Sequence, residues 1–76
     1  MNEFRDGHIV IIFMTQNTTF GWMTAKARIE YIPRATGDSW QFMVLEKDGM
    51  ECEPEMLLVN PSCSDFAGLA LVEEER

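Results

Sequence analysis

Histidine, cysteine and basic residues are all scarce in this sequence, and each scarcity argues against a class of function. His8 is the only histidine among 76 residues, and Cys52 and Cys63 are the only cysteines. Structural zinc sites draw four ligands from Cys and His at short spacings, and no such spacing exists here. Nucleophilic catalysis needs a Ser or Cys beside a base. His8 is the one candidate base, it has no acidic partner recognisable in the sequence, and it reads as a surface residue at a strand end. Two cysteines are too few for a disulfide scaffold. Their spacing allows a single Cys52–Cys63 bridge, although a reducing compartment keeps thiols free. The plainer reading makes Cys52 a small core residue and places Cys63 in a turn.

Six Lys and Arg stand against thirteen Asp and Glu, for a net charge of −7. Duplex nucleic acid is bound largely by neutralising phosphates with Lys and Arg, so this balance argues against duplex binding. No apolar run approaches the roughly 20 residues that cross a bilayer. The longest, His8-Ile9-Val10-Ile11-Ile12-Phe13-Met14, follows a segment with two acids and one base. That is not the basic start of a signal peptide, so a cytoplasmic protein without membrane association is expected. Phosphate cradles of the GxGxxG or Walker type, internal repeats and low-complexity tracts are also missing, and no cofactor is expected.

What is present fits one small domain spanning 1–76, with 1–7 and 73–76 expected to fray. Hydrophobic residues make up 46% of the chain, including five Phe, two Trp and one Tyr, enough for an apolar core. Asp6-Gly7 marks a turn, and His8–Thr15 is β-branched and continuously apolar, as in a central strand. Gln16–Thr18 has the length of a hairpin loop. Met23, Ala25, Ala27, Ile29 and Tyr31 alternate with Thr24, Lys26, Arg28 and Glu30. This period of two predicts a half-buried strand, although several of these residues are good helix formers. In that strand Lys26 and Arg28 share one face and Tyr31 lies on the other. Gly21 reads as a bulge in it, and Pro33 as its end.

Trp40–Glu46 predicts the next strand, and Asp48-Gly49 a tight hairpin. A two-residue loop would set Glu46 opposite Glu51, which is repulsive. A three-residue loop pairs Glu46 with Met50 and Val44 with Cys52, and is preferred because it keeps Trp40, Phe42, Val44, Met50 and Cys52 on one face. Pro54 ends this strand or confines it to an edge. Met56–Val59 forms a fourth strand or one helical turn. Ser62–Asp65 resembles a capping box and fits one helical turn. Gly68–Val72 is read as a closing strand, because Glu73–Glu75 would oppose a helix dipole. The element list predicts a mainly β fold: a small five-stranded antiparallel barrel or strongly curved sheet (SH3-, Sm- or OB-like) with at most one short helical turn.

The charge is unevenly placed. Residues 1–45 carry four acids and four bases, whereas residues 46–76 carry nine acids and two bases. Glu51, Glu53 and Glu55 would project to one side of a strand about 6–7 Å apart. Carboxylates so spaced could serve acid–base chemistry or hold a hard cation, but no supporting motif accompanies them, so neither enzyme nor metal site is expected. They also guard an edge against aggregation. With Met43 and Leu45 they would form an apolar centre with an acidic rim, suited to a basic protein partner. The chain's own segment Phe66–Val72 could instead cover that centre.

The leading expectation is therefore a non-enzymatic protein-binding module, of the inhibitor, immunity or adaptor kind. Its site would be Met43, Leu45, Glu51, Glu53 and Glu55, and virus- or phage-encoded blockers of nucleic-acid enzymes belong to the same size and charge class. The alternative is a single-stranded nucleic-acid binder that stacks bases on Trp22 and Trp40 beside basic residues. A homo-oligomeric structural subunit is the third reading.

Overall fold

A computed structural model describes residues 4–15, 20–34, 37–60, 62 and 64–73. Five strands form: β1 Ile9–Met14, β2 Thr24–Tyr31, β3 Trp40–Lys47, β4 Met50–Val59 and β5 Phe66–Glu73. They make one antiparallel sheet in the order β4-β3-β2-β1-β5, with no helix among the described residues. Four strands thus meander, and the fifth returns to flank the first. The sheet leaves β4 and β5 as its two edges.

Alternation decides which face is buried. Val10, Ile12 and Met14 of β1, Ala25, Ala27 and Ile29 of β2, and Phe42 and Val44 of β3 all point inward. Val59 of β4 and Trp22 complete the buried set, with Leu57, Leu69 and Leu71 packed against it. The sheet is strongly bent. The bending has a local cause: the register slips in three of the four strand pairs. Each extra residue kinks its strand and increases the twist. Leu45 is extra between the Lys26↔Glu46 and Ala27↔Val44 pairs, and Glu30 is extra between Ile29↔Phe42 and Tyr31↔Gln41.

The hairpin takes the two-residue loop, not the preferred three-residue one. Lys47 pairs with Met50, and Glu46 stands opposite Glu51. Asp48 and Gly49 both have positive φ, 50° and 84°, as a type I′ turn requires. That turn matches the twist of the flanking strands, and its preference outweighs one solvated Glu–Glu contact. Glu46 also has a cation nearby, with Lys26 Nζ 3.8 Å away. Met50 consequently leaves the core and is 74% exposed, while Cys52 still packs against it. Pro54 does not end the strand. Met56–Val59 continues β4 as its second half, and Pro54 lies in the slip between the Glu46↔Glu51 and Val44↔Glu55 pairs, where no ladder hydrogen bond is required.

Phe66–Glu73 is a strand, two residues longer at its start than expected and including Glu73. Gln16–Thr18, where a hairpin loop was expected, and Cys63 lie outside the described residues. Cys52 is a half-buried free thiol. The N-terminal segment, expected to fray, is bonded where it is described. Gly7 N–H donates to Ile29 O at 2.7 Å, and the Phe4 ring meets Trp40 edge-on at 6.4 Å. His8 is not a surface residue: it is 8% exposed, and its Nδ1 accepts the Arg5 backbone N–H at 3.2 Å. The imidazole supplies an acceptor to a tight turn that the backbone alone would leave short of one.

Candidate functional site

Residues paired across neighbouring strands face the same side of a sheet, so the register assigns the outer face directly. Three rows run across β2, β3 and β4 on that face. Nearest the hairpin stand Lys26, Glu46 and Glu51; then Arg28, Met43 and Met56; then Tyr31, Gln41 and Leu58. Met43 is half-buried, whereas Met56 and Leu58 are 50% and 58% exposed. Leu45 is half-buried at the slip itself and belongs to none of the three rows. The apolar surface on this side therefore centres on Met43, Met56 and Leu58.

The three expected acids do not act as one group. Glu51 and Glu53 are exposed, and no cation pairs with either among the described residues. Glu55 lies beyond the slip, opposite buried Val44, and bonds Lys47 Nζ at 2.7 Å. That hydrogen bond is the main reason the Lys47 ammonium is held above its ordinary pKa; partial desolvation opposes it, and the charge of Glu55 adds to it. Pro54 and the slip thus set Glu55 opposite Val44 and beside Lys47, apart from Glu51 and Glu53, although all three acids stay exposed. Phe66–Val72 does not cover this surface, because β5 is paired along β1 on the other side of the sheet.

The bulge at Glu30 changes the other face assignment made from alternation. Tyr31 pairs with Gln41 and joins Lys26 and Arg28 on the outer face, 46% exposed. Both bases are already occupied: Lys26 faces Glu46, and Arg28 Nε bonds Glu30 Oε2. Of the two tryptophans, Trp22 is 5% exposed and packs against Phe20 at 5.7 Å. Trp40 is half-buried, stacked on Phe42 at 6.0 Å. Burial thus closes Trp22 to base stacking, and Phe42 occupies one face of Trp40.

No group of three or more His, Cys, Asp or Glu able to hold a metal ion occurs among the described residues. Among the described residues no helix is long and apolar enough to cross a membrane. Sequence reasoning named Met43 but missed Met56 and Leu58 as its exposed neighbours. The available signal was Pro54: a proline inside a pairing strand implies a local slip, and a slip shifts every later side chain. No protein family model, no characterised protein and no solved structure matches this chain.

Proposed function

We propose that this chain is a non-enzymatic protein-binding module, an inhibitor, immunity or adaptor protein that occupies a basic site on a partner protein. The observation that carries the reading is one stretch of free sheet edge. On it, two exposed and unpaired carboxylates, Glu51 and Glu53, adjoin the exposed apolar side chains Met56 and Leu58, with Met43 behind them. Unpaired surface acids raise the local concentration of basic partners and speed encounter, while exposed apolar area supplies the burial that holds a complex together. The net charge of −7 acts in the same direction over a longer range. A reading as a single-strand nucleic-acid binder would rest on Tyr31 beside Lys26 and Arg28, and the acids paired with both bases weaken it.

The test is retention of cell proteins on the immobilised chain, with and without nuclease, in parallel with a Glu51→Lys/Glu53→Lys double variant. The reading expects a protein retained through nuclease treatment by the parent chain and lost from the variant. Retention abolished by nuclease would replace it with the nucleic-acid reading.

A further inference from the structure

The edge strand β4 is guarded against pairing along only part of its length. Natural sheet edges are blunted by charges, prolines and bulges. Here all of these fall in the first six residues of β4, at Glu51, Glu53, Pro54, Glu55 and the register slip. The last four residues, Met56-Leu57-Leu58-Val59, have no charge and no proline, and among the described residues they pair, regularly, only with Met43–Trp40. Along it, Leu57 and Val59 turn to the core while Met56 and Leu58 stay exposed. The other edge, β5, differs: Val72 is its one exposed large apolar side chain, beside Ala67, Gly68 and Ala70, which offer little to grip.

We propose that the partner docks by strand addition, contributing an extended segment that pairs antiparallel with Met56–Val59. The proposal rests on the binding-module reading and specifies its geometry. Antiparallel pairing is the more stable arrangement, and it fixes the polarity of the segment. The segment's first residues meet Leu58 and Met56 with apolar side chains at alternate positions, and its later residues bring Lys or Arg toward Glu53 and Glu51. Charge selects a foreign basic segment over a second copy of this chain, because two copies each at −7 repel.

The probe is the synthetic peptide Ser-Val-Thr-Val-Thr-Lys-Thr-Lys, compared with the same residues in reverse order. Two further peptides carry N-methyl groups on one or the other alternate set of amides. Binding is followed by amide hydrogen exchange of the protein. The proposal expects added protection at Met56–Val59 with the forward peptide. The reversed peptide should bind about tenfold more weakly. One N-methylated set should abolish binding, and the other should leave it intact, because only alternate amides face the new neighbour. Equal binding of forward and reversed peptides, or equal tolerance of both methylated sets, overturns strand addition. If Glu51→Lys/Glu53→Lys still weakens binding in that case, the acidic reading stands without it. If instead the β4 protection persists unchanged in that double variant, strand addition stands and the acidic reading fails. A dimer of the protein alone that dissociates on Leu58→Lys would assign the edge to a second copy and overturn the proposal.

Discussion

Asp48 fastens the β3–β4 hairpin to the start of β2, and its removal should loosen the edge that carries Glu51 and Met56. One carboxylate oxygen, Oδ1, accepts the backbone N–H groups of both Met23 and Thr24 at 3.0 Å. The Asp48 N–H in turn donates to Thr24 O at 2.8 Å. The residue also sits at φ 50°, where a side chain with a Cβ is disfavoured unless it is Asn or Asp. Three substitutions separate these roles. Asp48→Gly keeps the backbone freedom and deletes the acceptor. Hydrogen bonds to a charged acceptor contribute about 1.5–3 kcal/mol each when buried; in this exposed site water compensates, and about 1–2 kcal/mol in total is expected. Asp48→Ala deletes the acceptor and adds about 1–2 kcal/mol for the left-handed backbone, so about 2–4 kcal/mol is expected. Asp48→Asn retains an oxygen and tolerates the backbone, and should cost under about 1 kcal/mol. A domain of this size melts about 4–8 °C lower per kcal/mol lost. Thermal melts followed by circular dichroism should therefore rank the stabilities parent, Asn, Gly, Ala, with the Ala variant at least about 8 °C below the parent. Asp48→Ala melting at or above Asp48→Gly would refute the strain argument. Asp48→Asn falling as far as Asp48→Ala would refute the acceptor argument.

Phe42, 1% exposed at the centre of the core, should cost about 3–5 kcal/mol as Phe42→Ala, most of the stability of a small domain, and a broadened or missing melt would show it. Lys47→Met should leave stability essentially unchanged despite the 2.7 Å contact with Glu55, because water screens the pair; a urea midpoint within experimental error of the parent is the expected result. Trp22 should resist acrylamide quenching and emit at shorter wavelength than Trp40, so Trp22→Phe should leave fluorescence that is redder and more readily quenched. An oligonucleotide should not quench Trp22 in the folded chain, and quenching of that residue would contradict its buried placement.

The fold was legible because its signals are local and regular. Alternation through Ala25, Ala27 and Ile29 identified β2 and its buried face, and Asp48-Gly49 located the hairpin. The site was less legible because it depends on irregularities that alternation does not carry. Tyr31 was assigned to the inner face by counting residues, and one extra residue at Glu30 put it on the outer face. Glu55 was grouped with Glu51 and Glu53 in the same way, and the slip around Pro54 turned it toward Lys47. The hairpin register was misjudged by weighing one Glu–Glu repulsion above a turn preference, when solvent and Lys26 make that repulsion small. In the first two cases a bulge outranked the period-two pattern, because one extra residue moves every later side chain to the other face.

The central claim is that the outer acids and apolar residues of β3 and β4 form one binding surface. The most direct test is the affinity of the captured partner for the parent chain and for Glu51→Lys/Glu53→Lys and Met56→Ser/Leu58→Ser, each measured at low and high salt with folding verified by circular dichroism. The account predicts that both double variants lose about tenfold or more in affinity. It also predicts that only the charge variant loses the salt dependence. Parent-like affinity and salt dependence in both variants would contradict it and move the interface elsewhere on the chain.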